Sequence, residues 1–175
     1  AVGDNNVQEV SNILDQHSDL DLNDENLYTL HPPLCRAAKK GFYEICKTLI
    51  QYGADVNCIK DRLFSPLWGA SSGNHLEIVK LLIENGADIN AYESSTTAAL
   101  NEAAAKGHFE IVRYLIEKGA DINRLTTTLL FSPLDWSISS GHNEISLFLK
   151  EKGASSNINH DYVWSDVGGG ISQHI

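Results

Sequence analysis

The sequence predicts an all-α solenoid made of stacked antiparallel helix pairs with projecting hairpin loops. Two observations predict it. First, the segment Gly53-Ala54-Asp55-Val56-Asn57 recurs at Gly86 and Gly119, and in altered form at Gly153, in steps of 33, 33 and 34 residues. Second, two short helical patterns precede each copy. One such helix pair cannot bury its own apolar side, whereas pairs stacked on one another can.

A proline column is predicted to begin the first helix of each repeat, because proline at the first helical position loses no hydrogen bond. A second column then predicts a left-handed stop, which glycine adopts readily and asparagine tolerates. The predicted first helices are Pro33 to Lys40, Pro66 to Gly73, Ala99 to Lys106 and Pro133 to Ser140. The stop column contains Gly41, Asn74, Gly107 and Gly141.

The second helix of each repeat is predicted to begin near Tyr43, Leu76, Phe109 and Asn143. In every copy an isoleucine is followed four residues later by a leucine, as in Ile45 and Leu49. Residues four apart share one side of a helix, so this stripe is predicted to be buried. The glycine of the recurring segment ends the helix, and the following Asp-x-Asn favours a tight turn.

These columns resemble the ankyrin repeat family. The clearest copy runs from Ser65-Pro66-Leu67 through His75-Leu76-Glu77-Ile78-Val79 to Asn90, and the resemblance covers about Pro33 to Asn157 in four copies. It implies an ankyrin-repeat solenoid that binds another protein. It also implies that the loop tips and the exposed side of each first helix line a concave binding surface.

We expect a single domain over residues 1–175. Val7, Val10, Ile13 and Leu14 have helical spacing and predict an N-terminal capping half-repeat. The divisions are 1–25 for this cap, 26–58, 59–91, 92–124 and 125–158 for the four repeats, and 159–175 for a C-terminal cap or a truncated fifth repeat. Three successive glycines, Gly168-Gly169-Gly170, disfavour a helix in the last segment.

The net charge is −10, and residues 1–31 contain seven acidic residues and no lysine or arginine. Such a field repels a phosphate backbone, so nucleic acid is not an expected partner, and it favours a basic protein. The alternative is that these acids only aid solubility. No apolar run approaches the roughly 20 residues that span a bilayer, so no membrane partner is expected.

Three cysteines without a C-x-x-C pair argue against a disulfide framework or a zinc site. A reducing compartment suits these thiols, so we expect a cytoplasmic protein. We also expect the protein to be monomeric on its own.

The candidate partner-binding residues lie in the variable columns of the first helices and in the loops, which lack the family's usual Asp-x-x-Gly tip. They are Tyr28, Arg62, Phe64, Trp68, Tyr92, Glu93, Glu102, Phe131, Asp135 and Trp136. Tryptophan and other aromatic residues are enriched in interface cores. The alternatives are that Phe64 and Phe131, which share a column, pack under their loops, and that the tryptophans only fill space. Leu129 and Leu130 are also unexpected at a loop tip.

No catalytic or metal-binding set is visible, so the sequence predicts neither an enzyme nor a cofactor. His75, His108 and His142 lie about one repeat apart, too far to share one metal ion. Neither a nucleophile elbow nor a P-loop occurs. Cys46 lies in a helical column and is predicted to be a small core residue.

The predicted function is a non-catalytic module that binds one protein partner. One alternative is an inhibitor or immunity-type protein that neutralises a toxin or enzyme by covering its active site. Another is the ankyrin part of a larger enzyme, effector or scaffold. The last alternative rests on the ends of the chain, which begins at Ala1 and contains no methionine.

Overall fold

The computed structural model describes residues 6–17, 20–23, 32–58, 65–91 and 98–158. Within these ranges it has nine α-helices and no strand, which confirms the predicted all-α solenoid. After α1 the helices form four consecutive pairs. The helices are α1 (Val7–Gln16), α2 (Pro33–Lys40), α3 (Tyr43–Gln51), α4 (Pro66–Ser72), α5 (Leu76–Glu84), α6 (Ala99–Lys106), α7 (Phe109–Glu117), α8 (Pro133–Ser139) and α9 (Asn143–Glu151).

The helix ends agree with the sequence columns to within one residue. α4 and α8 end at Ser72 and Ser139, one residue earlier than predicted. The stop column adopts the predicted left-handed conformation, with φ of 80° at Gly41 and 60° at Asn74. Asparagine can replace glycine there because its short polar side chain tolerates that conformation.

The core lies between the two helices of each pair and between neighbouring pairs. The Ile and Leu columns of the second helices are at most 2% exposed, as are Ala37, Ala70 and Ala103 on the first helices. Small alanines let the first helices of successive repeats contact one another more extensively than the second helices do. The stack therefore curves with its first helices on the concave side.

α1 covers the start of this stack by packing on α3. Its predicted apolar side is buried at Val10 and Leu14, while Ile13 remains 39% exposed. The Tyr52 hydroxyl also hydrogen-bonds to the Asp15 carboxylate of α1. This helix thus covers the apolar side of the first pair, as a capping half-repeat should.

An asparagine ladder joins the turns that follow the second helices. The Asn57 side chain donates to the Gly86 carbonyl oxygen at 3.1 Å and accepts from the Asp88 amide at 2.8 Å, one repeat away. Asn23 and Asn90 make the same two bonds to their next repeats, and Asn123 accepts from the Ser155 amide at 2.8 Å. The Asp-x-Asn column therefore links neighbouring repeats in addition to shaping its own turn.

The framework histidines link repeats on the other side of each turn. His75, His108 and His142 place Nε2 at 3.2, 3.3 and 3.1 Å from the carbonyl oxygens of Lys39, Ser72 and Ala105 in the preceding repeat. Burial lowers the pKa of His108 and so disfavours the charged form of the ring. These contacts give the histidines a structural role.

Candidate functional site

Three columns run along the concave side of the first helices, and we call them the concave columns; Gly69 and Ser72 among them are buried. A residue in one helix lies beside its counterpart one repeat later, because the first helices pack directly on one another. The columns are Arg36, Gly69, Glu102 and Trp136; Lys39, Ser72, Ala105 and Ser139; and Lys40, Gly73, Lys106 and Ser140.

The first repeat gives this face a basic end. Arg36, Lys39 and Lys40 are exposed on α2. The Lys39 ammonium group lies 5.7 Å from the centroid of the Trp68 ring, within reach of a cation–π interaction. A Cβ atom at Gly69 would lie 3.3 Å from Lys39 Cβ, so glycine at this position makes room for the lysine stem. Trp68 is half-buried and borders this end of the face.

In the middle of the face, Glu102 is largely occupied within the domain. Its carboxylate accepts from the Ser72 hydroxyl at 3.0 Å and lies 3.3 Å from the Lys106 ammonium group. The Glu102 side chain is only 14% exposed, against 48% for Lys106. A partner at this point would therefore meet the lysine more than the glutamate.

Trp136 forms an aromatic pair at the far end of the face. Its ring centroid lies 5.1 Å from that of Phe131, and both side chains are half-buried. Phe131 thus packs against Trp136 of α8, and its contact with a partner stays a prediction. Within the described residues, the buried Trp136 Nε1 and Ser139 Oγ have no hydrogen-bond partner.

The prediction that Asp135 contacts a partner is wrong, because its side chain is completely buried. The carboxylate accepts from the Ser132 amide and hydroxyl, both at 2.8 Å, and so forms a capping box at the start of α8. It also accepts from the Ser156 hydroxyl and, at 3.0 Å, from the Asn157 amide. Burial alone would raise the pKa of Asp135, but these hydrogen bonds outweigh it and the pKa is lowered.

The fourth hairpin, residues 124–131, is closed by bonds to one threonine. The Thr126 amide donates to the Phe131 carbonyl oxygen at 2.9 Å, and the Phe131 amide donates to the Thr126 hydroxyl at 3.0 Å. Buried Asn101 of α6 donates to the carbonyl oxygens of Arg124 and Phe131, at 2.9 and 3.2 Å. The hairpin is therefore anchored at both ends to the neighbouring first helix.

Two leucines project from the tip of this hairpin. Leu129 and Leu130 are 55% and 54% exposed. Leu130 also has a left-handed backbone with φ of 54°, which is unfavourable for a leucine. The Asn157 side chain donates to the Leu130 carbonyl oxygen at 2.8 Å and helps to hold this conformation. The exposed side chains gain little free energy from folding and the backbone angle costs some, and such strained positions cluster at functional sites.

Sequence reasoning did not identify Thr126, Asn101 and Asn157 as the residues that shape this tip. The available hint was the longer step of 34 residues between the third and fourth copies. Five predicted contacts lie outside the described residues: Tyr28, Arg62, Phe64, Tyr92 and Glu93. Their contribution to partner binding stays a prediction.

A family model described as ankyrin repeats in three copies matches residues 1–93 and again residues 67–160. The chain belongs to the ankyrin repeat family. No curated protein matches it. Ankyrin repeats generally mediate protein–protein interaction, and ankyrin domains are typically non-catalytic.

No three His, Cys, Asp or Glu side chains in the described part of this ankyrin domain lie close enough together to hold a metal ion. None of the described helices combines the length and the apolar character needed to cross a membrane. The concave columns and the fourth hairpin are therefore the surface on which we base a functional proposal.

Proposed function

We propose that this ankyrin domain binds one protein partner through the concave columns and the tip of the fourth hairpin. The observation that supports this most is the exposed pair Leu129 and Leu130 on an anchored loop, with Leu130 in an unfavourable backbone conformation. The loop is held by specific bonds, so the leucines are presented in one geometry. A preorganised apolar group loses little entropy on binding.

The charges of the concave face favour an acidic segment of the partner on that face. The exposed charged groups of the concave columns are mainly basic: Arg36, Lys39, Lys40 and Lys106. The exposed glutamates Glu44, Glu77, Glu110 and Glu144 instead lie at the start of the second helices, on the opposite side of the stack. The net charge of −10 predicted a basic partner. Because the basic and acidic residues lie on opposite sides of the stack, the concave face alone favours an acidic segment instead.

The partner would thus place an apolar group on the leucine tip and acidic side chains opposite α2. Trp68 and Trp136 would border the contact, since both are only half-buried. We infer that the domain itself is a non-catalytic, cytoplasmic monomer. An inhibitor that covers an enzyme's active site would be one form of this interaction.

The test compares matched variants in a quantitative pull-down from lysate of the source organism, after circular dichroism has shown that each variant folds. Leu129→Ser/Leu130→Ser removes the tip, and Leu147→Ser is its control, because Leu147 is 63% exposed on the outer helix α9. Lys39→Glu/Lys40→Glu reverses the basic end, with Lys118→Glu on the turn after α7 as control.

We expect the tip variant and the charge variant each to reduce capture of the same protein by at least about tenfold, the range of interface hot spots. The two control variants should capture it like the natural chain. Equal capture by all four variants would place binding elsewhere. Loss with the controls as well would show that the assigned surface is not specific.

A further inference from the structure

Two cysteines that are 23 positions apart in the sequence meet beside the turn that follows α3. Cys35 lies in α2 and is fully buried, while Cys58 follows the first recurring turn and is partly exposed. Their sulfur atoms lie 3.5 Å apart, and Cys35 Sγ also lies 3.7 Å from the Cys58 carbonyl oxygen. The two thiols are therefore in direct contact without a covalent bond.

This contact is specific to the first repeat. The residues one repeat later in the same two columns are Trp68 and Ala91, and the next pair is Asn101 and Arg124. The corresponding position in the last repeat is Asp135, which is used in a capping box. The fold itself therefore does not require a thiol pair here, because the other repeats fill the same columns with different side chains.

The geometry allows a bond after a small movement. A disulfide has an S–S distance of about 2.05 Å, so the sulfur atoms must approach by about 1.5 Å from 3.5 Å. Cys58 lies outside any helix, and its amide is held by a single turn bond to the Asp55 carbonyl oxygen at 3.2 Å. Rotation of the Cys58 side chain with a slight shift of this turn can supply the movement.

We propose that Cys35 and Cys58 form a reversible intramolecular disulfide when the protein reacts with a hydroperoxide, and that this bond links the turn after α3 to helix α2. This modification site goes beyond the proposed binding function and does not depend on it. It would be a single reversible bond between two of the three cysteines, and not a disulfide framework.

The chemistry starts at the accessible sulfur. The Cys58 thiolate attacks one oxygen of hydrogen peroxide; an S–O bond forms, the O–O bond breaks, and the departing hydroxide takes up a proton as water. The Cys35 sulfur then attacks the sulfenic sulfur of Cys58. The S–S bond forms, the S–O bond breaks, and the leaving hydroxide takes the Cys35 proton as a second water. Two thiols lose two electrons in total, and one peroxide is reduced to two waters.

The third cysteine is an internal control. Cys46 is completely buried in α3, and burial raises the pKa of its thiol to about 12. Because the thiolate is the reactive form, Cys46 should remain a thiol under the same treatment.

The experiment treats the natural chain with a small molar excess of hydrogen peroxide, removes the excess with catalase, and alkylates with N-ethylmaleimide in denaturant. We expect intact mass spectrometry to show one alkyl group per chain, against three before oxidation. Peptide mapping should find a Cys35–Cys58 cross-link within single chains, reversed by dithiothreitol. The melting temperature should rise by roughly 5 °C, because the bond closes a loop of some 24 residues in the unfolded chain.

A Cys58→Ser variant should retain two alkylatable thiols after oxidation and show no rise in melting temperature, and a Cys46→Ala variant should form the cross-link like the natural chain. Three alkyl groups after oxidation would overturn the proposal. So would dimers linked through Cys58, or Cys58 oxidised to sulfinic acid while Cys35 stays alkylatable. All three outcomes are read from the natural chain, so they do not depend on a variant folding.

Discussion

Two columns of this solenoid differ in how uniform their residues are from repeat to repeat. The turn column uses one residue type, asparagine, and repeats one pair of bonds from repeat to repeat. The hairpin-base column, on the first helices, uses a different residue each time. Its members are Cys35, Trp68, Asn101 and Asp135.

The difference shows which positions of a repetitive fold can vary between repeats. Each turn meets the same backbone geometry in the next repeat, so one side chain satisfies it everywhere. The hairpin-base residues contact segments that differ in sequence from one repeat to the next. Asn101 holds the fourth hairpin through two carbonyl oxygens, whereas Asp135 binds the amide and hydroxyl groups of the segment after α9. Features particular to this protein therefore concentrate at the hairpin bases and tips.

The largest loss of unfolding free energy is expected from a substitution at Asp135, in the hairpin-base column. Replacing Asp135 by Asn keeps the size but presents an NH₂ group to donors, and it should lower the free energy of unfolding by about 3 kcal/mol. Urea denaturation followed by circular dichroism measures this loss. Asp88→Ala is the control, because Asp88 is an exposed turn residue, and it should cost less than about 1 kcal/mol. Equal losses would mean that the buried Asp135 carboxylate stabilises the fold no more than an exposed turn carboxylate does.

The pH dependence sharpens the same test. The folded state lowers the pKa of Asp135, so its carboxylate stabilises the fold above its unfolded pKa of about 3.9. That contribution is lost as the pH falls through the lower, folded value. The difference between the natural chain and Asp135→Asn should therefore shrink below about pH 4. A difference that stays constant down to pH 3 would show that the ionised carboxylate is not the stabilising form.

A second comparison separates backbone strain from contact between repeats. Gly107 and Gly119 have similar left-handed angles, with φ of 79° and 92°. A Cβ atom at Gly107 would lie 2.6 Å from the His142 ring. A Cβ atom at Gly119 would have no such neighbour within 4 Å. Gly119→Ala should cost about 1 kcal/mol and Gly107→Ala about 2 to 3 kcal/mol. Equal losses in urea denaturation would mean that the histidine moves aside freely.

Substitutions in the turn column should each lower the free energy of unfolding by a moderate and similar amount. Asn57→Ala removes one donor and one acceptor between repeats, and since both are near solvent, water partly replaces them. We expect a loss of about 1 kcal/mol in unfolding free energy, with a similar loss for Asn90→Ala. Asn85→Ala is the control, since Asn85 caps α5 and its side chain donates to the Leu81 carbonyl oxygen of that helix, with no bond to another repeat among the described residues. A control loss as large as that of Asn57→Ala would remove the special role of the ladder.

The smallest effect concerns the leucine tip and has the opposite sign. Leu130→Gly relieves an unfavourable backbone angle and should leave stability unchanged or raise it by up to about 0.5 kcal/mol. Leu129→Gly, where φ is negative, should lower stability by about 0.5 to 1 kcal/mol. Thermal denaturation of the two variants measures the contrast. A loss at Leu130 as large as that at Leu129 would show that its side chain supports the fold.

Much of the framework could be predicted because it follows from local sterics and short-range periodicity. Pro66 marks a helix start, Asn74 a left-handed stop, and the Ile78–Leu82 spacing a buried stripe, and the structure has all three. The site was harder to predict. Phe131 and Asp135 looked alike as variable residues on the binding side, yet one is half-buried on Trp136 and the other wholly buried.

The sequence by itself determined the repeat, its helices, its turns and the side of each second helix that is buried, because each depends on residues a few positions apart. The tertiary structure alone decided which groups 20 to 30 residues apart would meet. It brought Asp135 to the Asn157 amide, Cys35 to Cys58 and Asn101 to the fourth hairpin. The physical reason is that burial and hydrogen bonding depend on neighbours supplied by another repeat, and a period of 33 residues specifies where they lie but not what chemistry they share.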